Sequence, residues 1–235
     1  MRRKAFVTGG TRGIGAAIAT ALVEAGHEVV VSGTSAHPRR VPRRCRYRAC
    51  DFSDPLALEV FAREVAGWRV SILVNNAGIN TVGSLQGYDP AEFARIQQIN
   101  VVAPFRLCQA VVPGMRKRRF GRIVNITSIF GVVSKAGRGA YSASKFALLG
   151  LSRALALEVA AENVLVNCLA PGFVDTDLTR GILGARGIAR MRRLIPMGRL
   201  ARPREIARAV RFLVSEENTY MTGQQVVVDG GFVSA

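Results

Sequence analysis

Apolar runs too continuous for a half-exposed strand alternate with amphipathic helical stretches along the whole chain. No other feature limits the possible folds so strongly. Residues 4–10, 28–34, 70–78, 121–128, 164–172 and 224–231 read as buried strands rich in valine, isoleucine and leucine, each ending in small or turn-forming residues. Residues 45–51 add a polar strand, with Arg44, Arg46 and Arg48 on one face and Cys45, Tyr47 and Ala49 on the other. Helical patterns fall between them, over 13–26, 53–67, 89–119 (with Pro104 and Pro113 inside), 140–160 and 203–215. Strands of this kind separated by helices imply a parallel sheet covered on both faces. The expected fold is a single doubly wound α/β domain spanning 1–235, with a mostly parallel seven-stranded sheet. Between the last two helical patterns the stretch 177–200 is arginine-rich and reads as flexible.

Composition narrows the function classes. The 235 residues are 49% hydrophobic, enough for a substantial core. The N-terminus lacks the apolar stretch of a signal peptide, and no run approaches the length of a membrane span, so a cytoplasmic protein with no membrane partner is expected. Cys45, Cys50, Cys108 and Cys168 fall at no metal-ligand spacing, and His27 and His37 add no metal constellation; no metal is expected. The net charge of +17 raises the question of an acidic partner, but the basic residues recur all along the chain rather than in one tract.

Two motifs carry chemistry. "TGGTRGIG" at 8–15 sits at the first strand-to-helix turn. There Gly9 permits the turn, Gly13 lets backbone approach a diphosphate and Gly15 allows close helix–strand packing, as in Rossmann-type folds. The helix that follows offers free N–H groups and a positive dipole end to phosphate. Further on, Ser128 ends the fifth strand, Tyr141 lies thirteen residues later and Lys145 four beyond that. Positions i and i+4 share a helix face, so the ammonium can lie beside the phenol and stabilise phenolate. A phenol so tuned can transfer a proton to a ketone oxygen, and Ser128 can donate to the same oxygen. "SASK" also matches the Ser-x-x-Lys start of the penicillin-recognising hydrolases, but its companion motifs are absent.

Together, "TGGTRGIG", "NNAG" at 75–78, Asn100, Ser128, "YSASK" at 141–145 and "PGFVDT" at 171–176 resemble the short-chain dehydrogenase/reductase family over nearly the whole chain. The pattern is most similar to its 3-oxoacyl-(acyl carrier protein) reductases, whose ending is close to "TGQQVVVDGGF". The resemblance implies that Tyr141 is the general acid, that Lys145 binds the nicotinamide ribose and lowers the Tyr141 pKa, that Ser128 polarises the carbonyl, and that Asn100 holds a relay water. It implies a cofactor bed of Gly9, Thr11, Arg12, Gly13, Ile14 and Gly15. Asp51 and Phe52 border the adenine in it, Asn76, Ala77 and Gly78 lie on the adenosine side, Val174 and Thr176 hold the carboxamide end, and Pro171 and Gly172 also bind the cofactor. It also implies a homotetramer built through the two long helices and the last strand, with 177–200 as a substrate lid.

The run "HPRRVPRRCRYR" at 37–48 holds six arginines in twelve positions. In this fold the end of the second strand faces the adenosine ribose, and an NAD-binding chain usually places an acid there. This chain reads "SGTSAHPRR" instead. Thr34, Ser35 and Arg12, with Arg39 and Arg40 as loop candidates, favour NADP(H). Arg44, Arg46 and Arg48 fall on an edge strand, where charge discourages strand pairing.

The substrate expected from the resemblance is a 3-oxoacyl thioester, with an acyl carrier protein as a partner that would dock on "MRKRRFGR" around Arg119. Three residues depart from that pattern: Glu162 stands where a docking arginine is expected, and Arg138 and Ala140 in "GRGAY" replace a glutamine and an asparagine. Arg180, Arg186, Arg190, Arg192 and Arg193 of the lid could steer any anionic substrate. The alternative is therefore an alcohol–ketone oxidoreductase for another small substrate, anionic ones included. A more remote one is a polyanion-binding protein on the same scaffold, against which the intact Asn100, Ser128, Tyr141 and Lys145 argue; no nucleic-acid partner is expected.

Overall fold

The computed structural model describes residues 2–235. Seven strands form one sheet in the order β3-β2-β1-β4-β5-β6-β7, and every pairing is parallel. They are β1 (Lys4–Val7), β2 (Glu28–Gly33), β3 (Cys45–Ala49), β4 (Ile72–Asn75), β5 (Gly121–Ile126), β6 (Val164–Pro171) and β7 (Gln225–Val228). Alternate strand residues enter separate cores, as the two-residue period of a strand requires. Phe6, Leu73 and Ile123 face helices α2 (Pro55–Ala66), α4 (Ala103–Arg118) and α5 (Gly139–Val159). Val7, Val31 and Val74 face α1 (Gly13–Glu24) and α7 (Pro203–Val214). In the first core Trp68 packs edge to face on Phe6 and Phe61, and those two rings meet at a tilt, with centroids 5.3 to 5.8 Å apart.

Local sequence sets the element ends. Asp54 caps α2, its carboxylate accepting from Leu56 N at 2.8 Å and Ala57 N at 3.2 Å, with Pro55 at the first helical position. The arginine-bearing strand is the sheet edge, as expected. Arg46 pairs with Glu28 and Arg48 with Glu64 there, whereas Arg44 precedes the strand in a left-handed conformation with φ 64°.

Two expectations change. The helix expected over 89–119 is α3 (Pro90–Gln97), a π-helical segment (Gln98–Val102) and then α4. The break falls ahead of Pro104, whose ring cannot continue a regular hydrogen-bond ladder into the preceding turn. The stretch read as flexible is instead helix α6 (Asp177–Leu194), kinked at Gly184 (φ 60°). Its Met191, together with Ile195 and Leu200, forms a small third core against Phe173, Leu183, Ile188 and Phe232. Among the described residues no helix is long and apolar enough to cross a membrane.

A buried polar chain fastens α5 to the sheet. Asn75 donates to Asn125 at 2.8 Å, Asn125 to Ser152 at 2.7 Å, and Ser152 to the Leu148 carbonyl at 2.6 Å. All three residues are buried, so each depends on its neighbours rather than on water. Replacing Asn125 with alanine removes the acceptor of Asn75 and the donor to Ser152, and we expect it to lower the unfolding free energy by about 1–3 kcal/mol in urea titrations.

Candidate active site

In a parallel sheet every strand ends at the same edge, and the order reverses on either side of β1. Two features meet at the crevice between β1 and β4. The first is a phosphate cradle. Thr8 Oγ1 accepts from both Asn76 N and Ala77 N at 2.9 Å, and Asn76 Nδ2 donates to the Thr8 and Gly9 carbonyls at 2.9 and 3.2 Å. These bonds hold the glycine turn against the end of β4. Gly13 takes φ 55°, a left-handed conformation open to glycine. A Cβ on Gly15 would lie 2.3 Å from the Gly9 carbonyl and 2.5 Å from Asn76 Nδ2, so only glycine lets the helix start this close. Helix α1 has no side-chain cap and no acid in its first turn, which leaves its N–H groups and dipole directed at the crevice. These residues fit a dinucleotide diphosphate.

The second feature is a polar cluster at the ends of β5 and α5. Ser128 follows β5 and accepts from Phe130 N at 3.2 Å, which orients its hydroxyl at the start of a single 3₁₀ turn. Tyr141 and Lys145 lie one turn apart on α5, with the Lys145 ammonium 5.5 Å from the Tyr141 ring centre. Lys145 is buried and donates to the Ile126 carbonyl at 2.9 Å. Burial pulls its pKa down to about 8. The expectation for Tyr141 was a lowered pKa; burial instead pushes the phenol up, against the opposing pull of a Ser128 hydrogen bond and the Arg138 charge.

One cavity of about 560 Å³ joins the two features. Its walls contain Gly9, Thr11, Arg12, Gly13, Ile14 and Gly15 from the turn, Thr34 after β2, and Asp51 and Phe52 after β3. Asn76, Ala77 and Gly78 follow β4, Ser128, Tyr141 and Lys145 form the polar wall, and Pro171, Gly172, Val174 and Thr176 follow β6. Ile182 and Leu183 of α6 close one side.

Two expected residues stand apart. Ser35 lies in a neighbouring, larger cavity with Arg39 and Arg40, where its hydroxyl donates to the His37 carbonyl and so organises its own loop. Arg12 borders both cavities. Asn100 is fully buried behind the wall, accepting from Ile79 N at 2.9 Å and donating to the Ile79 carbonyl and Ser144 Oγ at 3.0 Å. It stays close to the cluster: a Cβ on Gly78 would be 3.2 Å from Asn100 Oδ1 and 3.6 Å from Lys145 Nζ. The π-helical segment carries Asn100 to this point, as such segments often do at functional sites.

Arg138, Arg95 and Phe173 also line the cavity and were not among the expected site residues. The "GRGAY" departure flagged Arg138, but its burial depends on Phe130, whose ring lies 5.4 Å from the guanidinium.

Comparison with known proteins fits this geometry. The family model described as enoyl-(acyl carrier protein) reductase matches residues 9–233. A curated 3-oxoacyl-(acyl carrier protein) reductase from Vibrio cholerae is 39% identical over 234 residues, covering 97% of this chain and 96% of that protein. A crystal structure of a 3-oxoacyl-(acyl carrier protein) reductase from Agrobacterium tumefaciens with NADP bound superposes with a TM-score of 0.89 at 34% identity, covering 97% and 93% of the two chains. A gluconate 5-dehydrogenase from Burkholderia cenocepacia in complex with NADP and tartrate gives a TM-score of 0.92 at 29% identity, covering 99% and 96%.

The lowered Lys145 pKa has a consequence for stability. In the unfolded chain this lysine holds its proton to an ordinary value near 10.4, but in the folded chain only to about 8. Between those values the unfolded state binds the extra proton, so stability from this residue rises with pH; below pH 8 both states are protonated and the burial cost is undiminished. Wild type should therefore gain on Lys145→Met between pH 8 and about 10 in paired urea titrations; a constant difference would contradict the assignment.

Proposed function

Because the chain belongs to the short-chain dehydrogenase/reductase family and is an NADP-dependent oxidoreductase, we propose that it reduces a ketone to an alcohol, with Tyr141 as proton donor. The observation that carries this reading is the single cavity shared by the glycine cradle and the Ser128, Tyr141 and Lys145 cluster. NADPH supplies the hydride when bound. The turn at 9–15 binds its diphosphate through backbone N–H groups and the α1 dipole. Thr34 and Arg12, with no competing acid after β2, favour the 2′-phosphate; the nearby Asp51 carboxylate is engaged by Ser53 N and Oγ at 2.9 and 2.8 Å.

The remaining steps belong to side chains. Ser128 donates a hydrogen bond to the substrate carbonyl oxygen and orients it. Tyr141 gives that oxygen its phenolic proton as negative charge develops there. A phenol raised by burial is fully protonated at neutral pH, as the reductive direction requires. Lys145 then faces the phenolate and stabilises it, and Asn100, beside Lys145, holds the water through which the proton is replaced.

The first of two candidate substrate classes is a 3-oxoacyl thioester, supported by the 39% identity to a protein of that activity. A second reading, a small carbonyl compound bearing an acid group, draws on the similarity to a gluconate 5-dehydrogenase. It is favoured by the state of the basic patch expected to dock a carrier, where Arg116 is held by Glu162 at 2.6 Å and Arg119 donates to the Ala161 carbonyl at 2.8 Å. Assembly as a homotetramer through α4 and α5 is supported by the exposed Phe105 and Phe146 on those helices.

Tyr141→Phe is expected to cut NADPH-dependent reduction about a hundredfold or more while NADPH binding, followed by fluorescence, stays near wild type. Retention of more than about a tenth of the wild-type rate would remove Tyr141 from its role. Rates with acetoacetyl thioesters, with and without an acyl carrier protein, set against oxo acids and sugar acids, separate the two substrate classes.

A further inference from the structure

Arg138 is a buried cation with no carboxylate beside it among the described residues. It stands immediately before α5, three residues ahead of Tyr141, and its backbone is fixed on both sides: its N–H donates to the Lys135 carbonyl at 3.0 Å and its carbonyl accepts from Ser142 N at 2.7 Å. The residue is only 8% exposed. The guanidinium lies 5.4 Å from the Phe130 ring centre, and Phe130 in turn meets Tyr141 and Phe173 edge-on. No carboxylate forms an ion pair with Arg138 among the described residues, and its Nη1 has no acceptor.

Arg122, equally buried, shows what an arginine inside this fold otherwise does. It donates to the carbonyls of Gly121, Asn163 and Asn218 at 2.8, 3.0 and 3.2 Å and stacks over Phe120. Arg95, which lines the same cavity as Arg138, is neutralised by Glu92 through bonds of 2.7 and 2.9 Å. An arginine cannot shed its charge to escape burial, so an uncompensated one weakens the folded state until an anion reaches it. Arg138 lines the cavity that holds Ser128 and Tyr141, with the Phe130 ring beside its guanidinium and Phe173 elsewhere in the same wall. A planar guanidinium in such surroundings matches a carboxylate with two parallel hydrogen bonds.

We propose that Arg138 is the specificity-determining anion receptor of the substrate pocket, binding a carboxylate on the substrate whose carbonyl Tyr141 protonates. This rests on carbonyl reduction at Tyr141 and selects, of the two substrate classes above, the small oxo acid.

The test uses the intact protein and the straight-chain oxo acids from 2-oxobutanoate to 5-oxohexanoate, each beside its methyl ester. NADPH oxidation is measured for each, and binding in the presence of NADP⁺ is measured by calorimetry. At least one acid is expected to surpass its ester by about ten- to a hundredfold in both measurements. Arg138→Gln should erase that preference through KM with little change in kcat, and its melting temperature should not fall below wild type, because an uncompensated charge is removed. Arg138→Lys, which keeps the charge without the fork, should retain part of the preference and serves if the glutamine variant does not fold. Equal behaviour of all acids and esters in wild type, or a preference that survives Arg138→Gln, overturns the proposal. Acids that bind through Arg138 without being reduced would sustain the receptor and defeat the reductase reading; esters and thioesters reduced as well as the acids would do the reverse.

Discussion

Parallel pairing of all seven strands makes every strand finish, and every following helix begin, at one edge of the sheet. That constraint places backbone N–H groups, helix dipoles and loop side chains on the same side, at the point where strand order reverses. The cradle at 9–15 and the cluster at 128–145 are far apart in sequence and meet because β1, β4 and β5 are consecutive neighbours. The buried chain from Asn75 through Asn125 to Ser152 converts that adjacency into a fixed position for α5, and so for Tyr141 and Lys145.

Within this frame the site holds two buried cationic groups with no carboxylate beside them among the described residues. Lys145 has one carbonyl for company and a pKa drawn down to about 8. Arg138 has an aromatic ring beside it and an Nη1 with no acceptor. Other arginines of the chain are paired on the surface, as are Arg180 with Asp175 and Arg199 with Glu205, or donate to carbonyls, as does Arg122. Polar groups left short of partners in one cavity are the mark of a surface completed by ligands. The overall charge of +17 is thus a background on which a few buried positions carry the chemistry.

Much of this was legible in the sequence. The strands announce themselves because a sheet covered on both faces needs near-continuous apolar runs, and "ILVN" and "GRIVNI" are such runs. The glycine turn and the Ser128, Tyr141 and Lys145 spacing are local patterns with local consequences. Helix α6 was not legible because its five arginines outnumber an apolar stripe, Leu183, Ile188 and Met191, whose partners Phe173 and Phe232 come from other segments. Pro104 marks a break in the expected long helix, but the π-helical form of the segment before it, which carries Asn100, has no signature in helical periodicity. Arg138 reads as a loop charge until Phe130 is brought beside it, and the raised Tyr141 pKa likewise follows from burial rather than from the residue four positions on.

The account's central claim is that one cavity unites NADPH with a carbonyl whose oxygen is protonated by the chain. The most direct test is isotope transfer: NADPH deuterated at the transferred position of the nicotinamide ring is incubated with the protein and oxo acids, esters or thioesters, and the products are examined by mass spectrometry. Deuterium on the carbinol carbon of an alcohol product is the predicted result. NADPH that binds tightly while no carbonyl compound acquires deuterium would contradict the claim.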